Sequence, residues 1–239
     1  MIEISSLSKR FGKLQVLKQV SASFRLGGSY AVIGPNGSGK TTLIKSILGM
    51  VLPDQGHITV DHVSIRGHWN YRRKIGYMPQ IGRYPDNMRM GQLFEMIRDL
   101  RSDVAHTDDQ LIHELGLETL FDKRMHTLSG GTRQKVSAAL CFLFDPAVLI
   151  LDEPTAGLDP LSVEILKAKI LKEQAKGRVF LITSHIMSDL DELTTDLIFL
   201  EEGVVCFADT LAELKQRSGE EKLGRAIAKL MQRDINTTA

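Results

Sequence analysis

Residues 34–42 read Gly34-Pro35-Asn36-Gly37-Ser38-Gly39-Lys40-Thr41-Thr42. The first eight have the spacing G-x-x-x-x-G-K-S/T, that of a phosphate-binding loop. The stretch before it, Ser29-Tyr30-Ala31-Val32-Ile33, is apolar and β-prone. The stretch after it, Thr41 to Gly49, puts Leu43, Ile47 and Leu48 at helical spacing. A loop between a buried strand and a helix start is the context this motif needs. Its glycines let successive backbone N–H groups turn inward as a nest for phosphate oxygens, and the helix start adds partial positive charge. Lys40 reaches β- and γ-phosphates, and the Thr41 hydroxyl is a Mg²⁺ ligand.

A second site lies far along the chain. Ala147-Val148-Leu149-Ile150-Leu151 is a continuous apolar run that ends in Asp152-Glu153. Such a run is the pattern of a central parallel strand whose C-terminal end carries function. Asp152 would hold Mg²⁺, and Glu153 would aim the water that attacks the γ-phosphate.

Composition sets the bounds. The 239 residues suffice for one large α/β domain; hydrophobic content is 43% and charged content 25%, with net charge +1. That total shows no electrostatic footprint for nucleic acid. Cys141 and Cys206 form no C-x-x-C pair and read as core fillers in a reducing compartment. The chain opens directly into Ile2-Glu3-Ile4 with no legible leader, and its apolar runs are too short to span a bilayer. The expectation is that any membrane work needs another chain. His57, His62, His68, His106, His113 and His126 lack metal-ligand spacing and read as surface or loop residues.

Leu128-Ser129-Gly130-Gly131-Thr132 precedes a helical run to Phe144, with Ser129 as N-cap of a second anion-binding helix start. Here the chain resembles the ATP-binding cassette (ABC) ATPases, whose signature L-S-G-G-Q it matches at four of five positions, Thr132 replacing glutamine. The family's other motifs follow in its order. Phe11 stands where an aromatic residue stacks on adenine. Gln80 stands where a glutamine senses Mg²⁺ and γ-phosphate. Asp159 fits the D-loop, and His185 the switch histidine. The resemblance covers roughly residues 2–210 and implies the site as a whole. Glu153, His185, Gln80 and Lys40 would serve the chemistry. Phe11, the loop 34–42, Asp152, Ser129, Gly130, Gly131 and Asp159 would hold the nucleotide, and Thr41, Gln80 and Asp152 the Mg²⁺.

The fold expected is an α/β phosphate-loop NTPase core with a mostly parallel sheet, an antiparallel β-subdomain and an inserted helical subdomain, all within one domain over 1–239. Ile2–Ser5, Val16–Arg25 and Gly56–Asp61 read as the antiparallel strands. Tyr30–Ile33, Ile75–Met78, Val148–Leu151, Val179–Thr183 and Leu197–Leu200 read as core strands. Helices are expected over Lys40–Met50, Leu161–Lys176 and Ile186–Leu193. Between about 81 and 146 the strand signals stop, and Met90–Leu100 and Asp108–Leu115 have helical periodicity. From Gly219 to about Arg233, Leu223, Ile227 and Leu230 share one face of an amphipathic helix.

The resemblance implies ATP and Mg²⁺ as ligands. It also implies a head-to-tail homodimer in which Ser129 and Gly131 cap the nucleotide of the other chain. A separate integral membrane subunit would turn closure into transport. The single short cassette looks most like ABC-2-type exporter ATPases. Thr132 and the stretch from Gly76 to Met88 resemble the ATPase of the copper-related transporter of nitrous oxide reductase maturation. The implied location is cytoplasmic, on the inner face of the membrane. Ile81 to Met88, with Tyr84, would dock the membrane subunit. The alternative is a soluble ABC ATPase of cofactor assembly, of the iron–sulfur type. Repair-type members need a long coiled-coil insertion, and translation-type members carry two cassettes; neither feature is present.

Overall fold

The computed structural model describes residues 1–237. In chain order the strands and helices are β1 (Ile2–Phe11), β2 (Leu14–Phe24), β3 (Ser29–Ile33), α1 (Lys40–Ile47), β4 (Gln55–Val60) and β5 (Val63–Ser64). Then come β6 (Ile75–Met78), α2 (Met90–Asp99), α3 (Gln110–Glu114), α4 (Gly130–Phe142), β7 (Val148–Asp152), α5 (Pro160–Ala175) and β8 (Val179–Thr183). The chain closes with α6 (Met187–Leu193), β9 (Asp196–Glu201), β10 (Val204–Thr210), α7 (Leu211–Ser218) and α8 (Leu223–Thr237). Leu230 and Arg233, named above for the last helix, lie outside the residues whose side chains are described.

The chain forms two compact units, one of Met1–Arg72 with Val179–Ala239, the other of Arg73–Arg178. In the first, β3 pairs in parallel with β8 and with β9, and β10 lies antiparallel on β9. β3 and β8 are buried at every residue, which is why they read as unbroken apolar runs rather than alternating ones. An antiparallel sheet in the order β2-β1-β4-β5 accompanies them. Helix α1 buries Leu43, Ile44 and Ile47, each contributing roughly 1.5–3 kcal/mol, and so fixes the phosphate loop at its start. In the second unit β6 pairs in parallel with β7 and α4 packs against β6, with α2, α3 and α5 completing the unit.

Several expectations change. β1 runs on to Phe11 instead of stopping at Ser5, because register shifts after Ile4 and Leu7, with Ser6 at φ +49, carry the strand past an interruption that looks like its end. β10 and α7 are additional elements. Cys141 is buried, but Cys206 is exposed, since it falls on the outward face of a half-exposed edge strand. Among the described residues no helix is long and apolar enough to cross a membrane.

Candidate active site

The phosphate loop is built to approach a ligand with its backbone. Gly34 has φ +150, and a Cβ there would stand 1.9 Å from the Leu200 carbonyl. Gly39, the N-cap of α1, has φ +108 and brings no side chain to the first-turn amides. Those amides are oriented donors, and the helix start favours negative charge. Lys40 Nζ donates to the carbonyls of Gly34 at 2.7 Å and Pro35 at 3.0 Å, so its ammonium lies over the loop. Ser38 is buried, and its Oγ has no hydrogen-bond partner among the described residues. A buried hydroxyl of this kind in a glycine-lined loop fits a phosphate oxygen as its partner. Thr41 is exposed on the first turn of α1.

Phe11 ends β1 at a tight turn, paired with Leu14, and is 50% exposed. Lys9 Nζ lies 5.4 Å from its ring centroid. The residue is therefore an open aromatic platform, not a core side chain. Base–aromatic stacking is worth about 1–3 kcal/mol. Phe11→Ala is expected to weaken ATP binding roughly tenfold without lowering the melting temperature, while GTP is only mildly disfavoured by the wild type. Titration with a fluorescent nucleotide checks this; unchanged affinity would remove Phe11 from the site.

His185 lies two residues past β8 and is exposed. The Ser184 Oγ accepts from the Ile186 amide at 2.9 Å, a local turn that shapes the segment.

In the second unit, β7 is buried along its whole length and delivers Asp152 and Glu153 at its end, both 9% exposed. Glu153 has φ +53, a left-handed conformation costing a non-glycine residue about 1–3 kcal/mol. Its carbonyl accepts from Gln134 Nε2 at 3.3 Å and from the Ala156 amide at 3.2 Å. Gln134 is a site residue missed by motif reading. It is a buried amide on the inner face of α4, where Ser137 is buried as well, and no spacing in the sequence sets it apart. Burial, reinforced by the Asp152 charge, pushes the Tyr77 phenol up to about 12, so it remains a protonated neighbour of that carboxylate. Gln80 is exposed just beyond β6. Among the described residues no cluster of His, Cys, Asp and Glu could hold a metal ion.

Ser129 caps α4: its Oγ accepts from the Thr132 amide at 3.1 Å and lies 2.9 Å from the Thr132 hydroxyl. Thr132 thus turns the departure from the usual glutamine into a reinforced cap. Gly130 is exposed, with nothing within 4 Å of where a Cβ would be; a Cβ at Gly131 would meet the Gly157 carbonyl at 2.7 Å. Asp159 caps α5, accepting from the Ser162 amide at 3.0 Å and pairing with Lys135 of α4 at 2.7 Å. Lys135, then Ser162, hold its carboxyl well below the usual carboxylate range. Within its own unit Asp159 thus joins the signature helix to α5.

The ABC transporter family model matches residues 17–156. This chain belongs to the ABC ATPases. It is 30% identical to the Nod factor export ATP-binding protein I of Ralstonia nicotianae, over 85% of this chain and 65% of that one. It is 32% identical to the ABC transporter ATP-binding protein YtrB of Bacillus subtilis, over 90% and 74%. It is 30% identical to the lantibiotic transport ATP-binding protein SrtF of Streptococcus pyogenes, over 93% and 94%. A solved ATP-binding subunit of an ABC transporter superposes with TM-score 0.86 at 26% identity, covering 97% of this chain and 99% of that one. The post-hydrolysis dimer of the cassette MJ0796 superposes with TM-score 0.78 at 21% identity, covering 88% of this chain and 99% of that one, a likeness of fold.

Proposed function

We propose that this ABC cassette hydrolyses MgATP as a homodimer and drives export through a separate membrane subunit. The observation that carries the reading is the phosphate loop, with its left-handed glycines, its Lys40 cation and the buried Ser38 hydroxyl. Lys40 and the loop amides would bind the phosphates, Phe11 the base, and Thr41, Asp152 and Gln80 the Mg²⁺. The ion would neutralise charge on the β- and γ-phosphates. Glu153 would orient water, and His185 would contact the γ-phosphate. Ser129, Gly130 and Gly131 would close the site of the opposite chain, with Asp159 at that junction. The dimeric MJ0796 cassette, bound to ADP and Pi, supports the dimer as a reading of the shared fold.

Two surfaces support a docking role. In the stretch from Ile81 to Met88, Ile81 is 70% exposed, whereas Tyr84 is half-buried and burial raises its phenol pKa. Tyr84 therefore serves packing more than contact. The first unit has a cavity of about 660 Å³ lined by Leu52, Ile58, Trp69, Arg66 and Arg72. Leu52 and Trp69, at 69% and 70% exposure, give its wall exposed apolar surface beside Arg66 and Arg72. Such a patch fits a polar-edged segment of another chain. What is exported is chosen by that other chain.

The shared site is tested by mixing. Gly130→Asp is the cleaner probe, because a Cβ there has nothing within 4 Å in its own chain, whereas one at Gly131 meets the Gly157 carbonyl. Lys40→Ala and Gly130→Asp are each expected to abolish turnover. Mixed equally, half the dimers combine the two, each with one intact composite site, so about a quarter of wild-type activity returns if sites fire independently. A dead mixture of variants shown to fold and heterodimerise would overturn the trans arrangement or the independence of sites.

A further inference from the structure

We propose that the C-terminal helix α8 braces the switch segment, and that Gly224 and Ile227 are positioning residues for His185. The inference rests on the reading of His185 given above. His185 sits between the end of β8 and α6, a seven-residue helix whose N-terminus has no side-chain cap. A helix that short has little stability of its own and takes its position from packing. Its inner face is fixed by Leu190 and Leu193, both buried in the core. Its outer face meets α8. There Gly224 packs on Met187: a Cβ added to it would touch Met187 Cγ at 3.4 Å, ordinary contact that a longer side chain would exceed. Met187 is the first residue of α6, two past His185.

Helix α8 is itself anchored, with Leu223, Ala226 and Ile227 buried. α7 supports the same joint through the Lys215–Asp191 ion pair, 2.5 Å long, which ties it to α6. A cavity of about 760 Å³ flanks the joint, lined by Met187, Asp191, Lys215, Lys222, Gly224 and Arg225. The position of α6 thus rests on its core face, on the Lys215–Asp191 pair and, at its first residue, on the contact with α8.

Ile227→Asp should undock α8. The expected result is a fall in kcat of at least about fivefold, with KM for ATP changed by less than about twofold, since the phosphate loop and Phe11 are untouched. Amide hydrogen exchange should rise over 184–190 and stay unchanged over 34–47. Ile227→Leu should restore both. Gly224→Leu, which pushes on Met187 directly, should reproduce the loss, and decides the matter if Ile227→Asp does not fold. The deciding measurement is single-turnover hydrolysis in a His185→Ala background. There Ile227→Asp should cost nothing further, because both act through one group. An undiminished kcat in both α8 variants, or the same fall with and without His185, would overturn the brace. Wild-type turnover in His185→Ala alone would overturn the reading of His185.

Discussion

Glu153→Gln is expected to bind ATP normally and to hydrolyse it at least about a hundredfold more slowly, a loss of about 2.7 kcal/mol of transition-state stabilisation. The backbone argues for this size. β7 is buried to its last residue, and the chain then takes up a left-handed conformation at Glu153 whose carbonyl is held by Gln134 and Ala156. Strain kept in place by surrounding hydrogen bonds marks a side chain whose position matters. Glutamine preserves volume and polarity but not the charge that polarises a water. The loose phosphoryl transition state asks for positioning and charge, so losing the charge cannot be offset by retained shape. Because opening of the dimer would follow hydrolysis, the variant should also collect as an ATP-bound dimer on size exclusion. Near-wild-type turnover of purified Glu153→Gln would remove Glu153 from its role.

The legible parts of this protein are the places where a loop must carry a ligand between a strand and a helix. Gly34–Thr41, Asp152-Glu153 and Ser129-Gly130-Gly131 have residue types dictated by backbone approach, charge and capping, so they stand out without a structure. Elements that only complete the packing are harder to read. β10 is a half-exposed edge strand whose seven residues show no fully buried face. α7 follows it directly, and its one sharp sign is the spacing of Thr210 and Glu213, which form a capping box. Side-chain roles that arise across elements are invisible in sequence. The hold of Gln134 on the Glu153 carbonyl joins residues 19 apart, and Lys135 draws Asp159 into a cap rather than leaving it open. Cys206 misleads because apolar neighbours in sequence alternate faces in a strand.

The same limit hides the buried charge at Lys169, where the largest stability effect is expected. Lys169 lies in α5, is 1% exposed, and pairs with Glu173 one turn on at 2.9 Å and with Asp108 ahead of α3. Gln110 Oε1 accepts a further bond from its ammonium at 3.2 Å. Burial pushes the Lys169 pKa down, but the Asp108 and Glu173 hydrogen bonds outweigh it and leave it raised. Burial likewise pushes Asp108 and Glu173 up, and their lysine partners outweigh it and leave both lowered. All three groups are thus ionised at neutral pH. Lys169→Met keeps the apolar stem but takes the ammonium from Asp108 and leaves Glu173, itself 3% exposed, to Lys176 at 2.8 Å; breaking a buried pair in this way costs up to about 3–5 kcal/mol. For a chain of this size that is a fall in Tm on the order of 10 °C. Adding Glu173→Leu should recover part of the loss, because replacing both buried partners by apolar groups is often neutral or better. The pH dependence has a definite sign. Carboxylates with lowered folded pKa contribute stability above their unfolded value, about 4, and lose it as pH falls through the folded one. The gap between wild type and Lys169→Met should therefore narrow below about pH 4, where the two acids take up protons and no longer need the lysine. Denaturant melts of both chains across that range provide the measurement, and equal stability at pH 7 would show that the cluster holds nothing together.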